Sequence, residues 1–182
     1  FSVDEDLACA MYEELVRHAA ESGFHQYEIA NFAKHNSQEA PPSDDVLPSF
    51  ACQHNVNYWR GGMFYGLGPS ATGYIDGCRT KNLPNTKAYC EQLNHGKRPI
   101  ESTESLTPLR RAGETAAFGL RMNLGWSFEQ FLETTRFDLR VTWKAEMEEL
   151  CSRGLALVDD RSFRLTSKGL RFADAAAEAF LK

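Results

Sequence analysis

The sequence has no run that could cross a membrane. Charged residues fill 25% of its 182 positions and interrupt every apolar stretch short of the roughly 18 consecutive apolar residues a spanning helix needs. It also lacks a basic region followed by an apolar stretch at its start. Phe1-Ser2-Val3-Asp4-Glu5-Asp6 is therefore no signal peptide, and without Met at position 1 it reads as a start within a longer protein. Cysteine is sparse: Cys9, Cys52, Cys78, Cys90 and Cys151 are odd in number and no two lie closer than 12 positions. Neither a disulfide framework nor a C-x-x-C metal knuckle is expected, and a reducing, cytoplasmic setting is the default. An excess of positive charge is missing too. Against 25 Asp and Glu stand 20 Lys and Arg, a net charge of −5, which argues against the basic footprint of a nucleic-acid binder. No P-loop, nucleophile elbow or H-E-x-x-H occurs, so nothing points to hydrolysis or phosphoryl transfer.

What is present describes an ordinary globular chain, 42% apolar and long enough to bury a core without staples. Residues 4–22 carry Leu7, Ala8, Met11, Leu15, Val16, Ala19 and Ala20 at i, i+3/i+4 spacing, which predicts an amphipathic helix ended by Gly23. Residues 24–30 read as a short strand, giving a helix-then-strand unit as in an α/β sheet. Residues 35–50 hold three of the seven prolines and few large apolar side chains, so an exposed, mobile loop is expected. Residues 79–105 look like a connector with a short helix over 85–93. The second half reads as helix, helix, helix, ribbon, helix. Pro108 opens the first helix, Ser127 and Gln130 form a capping box for the second, the third runs over 139–153, the ribbon pairs 155–158 with 163–165, and Thr166 caps the last helix. That order is winged-helix-like. The predicted units are residues 1–100 and 101–182, divided near 96–106.

Two segments between these elements carry chemistry. His54-Asn55-Val56-Asn57-Tyr58-Trp59-Arg60 gathers an imidazole, two carboxamides, two aromatic rings and a guanidinium in seven residues. Such a set can ligate a haem iron through His54, stack a planar ring and hold a carboxylate through Arg60. A lone histidine is nevertheless more often a hydrogen-bonded structural residue. The second segment, Gly66-Leu67-Gly68-Pro69-Ser70-Ala71, matches G-x-G-x-x-[G/A], and six of the 13 glycines fall within residues 61–77. A dinucleotide site would need this motif to open a helix, which Gly73, Asp76 and Gly77 discourage. A strand ending in a tight turn is the better reading, with bare backbone groups able to meet a flat ligand or an adenosyl group. On composition alone a purely structural turn is simpler still.

Together with Tyr27-Glu28-Ile29-Ala30-Asn31-Phe32-Ala33, these segments resemble the carboxyl-terminal half of the radical-SAM haem chaperones, which are similar to oxygen-independent coproporphyrinogen III oxidases. Gly119-Leu120-Arg121, Gly154-Leu155 and Leu165-Thr166-Ser167-Lys168-Gly169 resemble the family's C-terminal domain. The resemblance implies an α/β fold: the end of a partial (β/α) barrel followed by a small α+β, winged-helix-like C-terminal domain. It implies S-adenosylmethionine and a [4Fe-4S] cluster as cofactors of the full-length protein, with haem as bound ligand. The family's C-x-x-x-C-x-x-C cluster motif has no counterpart here. By the resemblance, Thr72, Ala71 and Gly68 contact S-adenosylmethionine, and His54, Tyr58 and Arg60 contact haem. The resemblance also implies that the HNxxYW segment separates the chaperones from the true oxidases. In two places the chain departs from the family: the 35–50 loop is longer, and Thr72-Gly73 stands where the chaperones commonly show His-Ser.

The implied function is haem binding and trafficking toward haem-acceptor proteins, with porphyrin as ligand, no nucleic acid, no integral membrane span, and a homodimer as one option for assembly. Coproporphyrinogen III dehydrogenation is the enzymatic alternative. A winged-helix nucleic-acid-binding module is the third, disfavoured because its candidate recognition helix, residues 142–149, is acidic and would repel phosphates.

Overall fold

The computed structural model describes residues 4–36, 38–39 and 46–181; positions 37 and 40–45 of the expected 35–50 loop lie outside the described residues. Helix α1 (Glu5–Glu21) begins where the Asp4 carboxylate accepts the Leu7 N–H at 3.0 Å. Its apolar stripe, expected to face a core, stays open. No residue of α1 is buried, and Leu7, Met11 and Leu15 are 56%, 66% and 52% exposed. The helix is held to the next elements by polar contacts. The Tyr12 hydroxyl donates to the Ile29 carbonyl at 2.9 Å, and Gln26 donates to Tyr12 at 2.6 Å.

Strand β1 (Phe24–Glu28) turns back at once and pairs antiparallel with β2 (Asn31–Lys34). Glu28, 1% exposed, closes the turn by accepting the Ala30 N–H and the Asn31 carboxamide. The hairpin also bonds to the second half of the chain. Ile29 N–H donates to Arg121 O at 3.2 Å and Asn123 N–H to Tyr27 O at 3.1 Å. Tyr27, Ala33 and Ala51 form a small core with Leu47 and Val56 against it.

The aromatic segment that the sequence left without an element is helix α2 (Gln53–Trp59). Beyond it, β3 (Thr72–Ile75) pairs with β4 (Cys78–Asn82). After helix α3 (Thr86–Asn94), β5 (Ile100–Ser105) adds to β4, so the order is β3-β4-β5, all antiparallel. The connector expected at 79–105 therefore contains two strands. They escaped sequence reading because CRTKN and IESTES have no apolar alternation, the usual sign of a half-buried strand. Their stability comes from the ladder and from cross-strand pairs: Arg79 lies directly opposite Glu104 and bonds it at 3.0 Å, and Lys81 meets Glu101 at 2.9 Å. Because the sheet is completed only by residues 100–105, the expected division at 100 falls at the start of β5.

The second half follows the predicted order with added breaks. Helix α4 (Pro108–Gly119) leads to the short β6 (Trp126–Ser127), then come α5 (Phe128–Thr135), α6 (Leu139–Thr142) and α7 (Lys144–Ser152). The single helix predicted over 139–153 is interrupted at Trp143, whose backbone leaves the helical region with φ −124° and ψ 32°. Its buried indole donates to the Phe180 carbonyl at 3.1 Å. The ribbon gains a third strand: β7 (Ala156–Val158) and β6 both pair with β8 (Ser162–Leu165). Helices α8 (Ser167–Leu170) and α9 (Ala173–Glu178) end the chain. The main core sits here, built around Trp126, Phe131, Trp143, Phe163 and Phe180, each fully buried and in edge-on or tilted contact with a neighbour. The whole is a mixed α/β fold with small sheets.

Candidate functional site

The glycine-rich segment folds as a turn that precedes a strand, the reverse of the expected order. Gly68 and Ser70 sit at φ +98° and +61°, and no helix follows, as expected against a dinucleotide site. Phe64 and Tyr74 exchange backbone hydrogen bonds of 2.9 and 2.8 Å, which lays residues 64–66 along β3. Gly66 is required by this approach: a Cβ there would stand 2.5 Å from the Thr72 carbonyl carbon. The turn's backbone was expected to be bare. Instead, several of its groups are engaged within the chain. The buried Asn82 side chain donates to Gly66 O and Gly68 O, both at 3.0 Å; Gly68 N–H donates to the Tyr89 hydroxyl at 3.1 Å; Ser70 N–H donates to Leu83 O at 3.1 Å. Replacing Asn82 with alanine takes the side-chain donor from Gly66 O and leaves Gly68 O with only the Ala71 N–H at 3.4 Å. It is expected to lower stability by about 1–2 kcal/mol in denaturant unfolding, within the roughly 1–3 kcal/mol that one unsatisfied acceptor costs.

Beside this turn, α2, β3 and α4 enclose a cleft of about 380 Å³. One wall is aromatic: Tyr58 and Phe64 stack with ring centroids 4.0 Å apart, and Tyr74 continues the row 6.5 Å from Phe64. Thr72 opens into the same space, as do Arg79 and Arg111. Arg79 is saturated by Glu104 and Glu114. Burial works against its charge, but the hydrogen bonds and proximity of these two carboxylates outweigh it and raise its pKa. Arg111 lies over the Tyr74 ring at 3.8 Å and donates to Gly61 O at 2.5 Å; burial lowers its pKa.

The structure thus brings two of the expected site residues, Tyr58 and Thr72, into one cleft. His54 is exposed and stands edge-on to Tyr58 with ring centroids 4.9 Å apart. Gly68 and Ala71 form the turn behind Thr72 and are not among the residues that line the cleft. Arg60, expected at a carboxylate, is placed outside the cleft. Its guanidinium lies over the Trp126 ring at 4.7 Å and donates to Gly125 O at 2.5 Å, and burial pushes its pKa down to about 10. It remains cationic at neutral pH and ties α2 to the second half. Trp59 does the same, with Arg121 over its ring at 5.0 Å and Phe118 at 6.4 Å. Helical spacing explains the split: Arg60, two positions past Tyr58, projects from another side of α2, while Trp59 still lines the cleft beside Phe118. Arg79 was missed because it sits just past the glycine-rich segment in a stretch read as a connector, and Arg111 because it is distant in sequence from both motifs; only the β3–β4 pairing and α4 carry them to the cleft.

No family model matches the chain. It is 29% identical to the heme chaperone HemW of Lactococcus lactis over 97% of its length, and 29% identical to the heme chaperone HemW of Bacillus subtilis over 94%. It is also 29% identical, over 94% of its length, to the mitochondrial radical S-adenosyl methionine domain-containing protein 1 of Danio rerio. The chain spans 43%, 42% and 38% of these three relatives. Among solved structures it resembles coproporphyrinogen III oxidase (HemN) from Escherichia coli, described as a radical SAM enzyme. The TM-score is 0.64 at 16% identity, over 93% of this chain and 40% of that one. The fold matches the C-terminal domain of that kind of protein.

Proposed function

We propose that the chain is the C-terminal portion of a haem-binding chaperone or trafficking protein of the radical-SAM, coproporphyrinogen-oxidase-like kind, and that it holds the porphyrin ring in the cleft between α2, β3 and α4. The observation that carries this reading is the Tyr58–Phe64 stack, continued by Tyr74, in a cleft that also presents guanidinium groups. A flat conjugated macrocycle buries its face on such rings, and arginines complement its acidic arms. The relatives named as heme chaperones support the same ligand. His54, at the edge of Tyr58, supplies the imidazole for the haem iron. The haem passes from there to acceptor proteins, in the cytoplasm. No helix among the described residues is long and apolar enough to cross a membrane.

The radical-SAM kind implies S-adenosylmethionine and a [4Fe-4S] cluster. This chain does not fit the cluster. Among the described residues no group of three or more His, Cys, Asp or Glu is placed to hold a metal, and the five cysteines are separate and free. For S-adenosylmethionine the fit is local. Thr72 on the cleft wall is the contact, and the turn of Gly68 and Ala71, fixed from behind by Asn82, sets its position.

Haem titration of the 182-residue chain, followed in the Soret band, tests the reading. A saturable one-to-one shift is expected. His54→Ala should move the band of the bound form, and Tyr58→Ala should weaken binding by about five- to tenfold, the scale of one aromatic stack plus its burial. Unchanged affinity and spectrum in both variants would remove the cleft from haem binding.

A further inference from the structure

We infer that Arg111 is the residue that receives a carboxylate arm of the ligand held in the cleft; this rests on the haem reading above and specifies its acidic contact. Two arginines line the cleft, Arg79 and Arg111, and a third, Arg60, ends the adjoining helix α2. Arg79 is bound by Glu104 and Glu114, and Arg60 is turned away onto Trp126. Arg111 differs from both. It is half-buried against the Tyr74 ring and the Gly61 carbonyl, feels the nearby Glu114 carboxylate that Arg79 binds, and among the described residues forms no ion pair. A guanidinium carries five N–H donors in a fixed fork, of which the Gly61 carbonyl engages one nitrogen. The face of the guanidinium rests on Tyr74, which leaves its edge as the part suited to a carboxylate.

Its position suits an arm rather than a ring. Arg111, Tyr74 and Gly61 line both the cleft and an adjoining cavity of about 300 Å³, which also touches Met63, Thr134 and the Asp76 carboxylate. A ring against Tyr58 and Phe64 would therefore meet Arg111 where the cleft gives way to the second cavity, and that cavity has room for an acidic chain of a few atoms. The ligand class is a planar conjugated ring carrying at least one flexible carboxylate.

Haem and haem dimethyl ester, which lacks free carboxylates, separate the arm from the ring. Titrated into the wild-type 182-residue chain, haem is expected to bind about tenfold more tightly than the diester, the scale of one charge-assisted pair in a half-buried site. Arg111→Met should weaken haem to the level of the diester and leave the diester unchanged, while Arg111→Lys should restore part of the preference. If circular dichroism shows Arg111→Met to be unfolded, Arg111→Gln takes its place under the same criteria. A preference that survives without the guanidinium, or equal binding of acid and ester by the wild type, overturns the assignment to Arg111 and leaves the haem site standing. Binding of neither compound by the folded wild type overturns the haem reading and this inference with it.

Discussion

Replacing Trp126 with alanine is expected to lower the free energy of unfolding by about 3–5 kcal/mol, the cost of emptying a fully buried aromatic site that cannot collapse. Its indole N–H is shared between Thr115 O at 3.1 Å and Ala116 O at 3.3 Å, and its ring meets Phe131 edge-on at 5.2 Å. Gly119 packs so closely beneath it that any added Cβ would overlap the indole. The outer face of the ring carries the Arg60 guanidinium. The substitution therefore empties the core and frees the residue that fastens α2 to it. Denaturant unfolding measures the first effect, and the same variant should lose affinity for haem because Tyr58 rides on α2. A loss below about 1 kcal/mol would mean that the site relaxes around the missing ring, contrary to the close packing described.

Gly66→Val is expected to have the second largest effect, about 3 kcal/mol, at the upper end of the usual cost of forcing extra atoms into a packed site. The obstacle is backbone on three counts. A Cβ at Gly66 would lie 2.5 Å from Thr72 C, 2.6 Å from Thr72 O and 2.7 Å from Gly73 N. No side-chain rotation relieves such contacts, so β3 must move and take Thr72 and Tyr74 with it. Loss of stability should be accompanied by loss of haem binding. Native-like affinity in the variant would show that the cleft does not depend on the position of β3.

Some features of the molecule were legible before folding because they are local. Ser127 and Thr166 cap helices as read, since a short polar side chain needs only the next turn's N–H groups as partners; Asp4 and Thr107 cap α1 and α4 in the same way. The spacing of Trp143, Met147 and Leu150 puts them on one face of a helix, and all three are buried. The break at Trp143 was invisible because it depends on the carbonyl of Phe180, 37 residues away. The polar strands β4 and β5 were invisible because their pattern carries no burial signal and their partners are one another.

The same division runs through the candidate site. The sequence by itself determined which side chains could do chemistry: an imidazole, a row of aromatic rings and a glycine turn able to approach another strand. Tertiary structure decided where they face. Helical geometry sent Tyr58 into the cleft and Arg60 onto Trp126, the Gly66–Thr72 contact set one wall, and Arg79 arrived through the β3–β4 pairing and Arg111 from a helix remote in the chain. Residue type is a local property. The orientation of a charge, and the partners that engage it or leave it open, are fixed only when distant segments share one desolvated space.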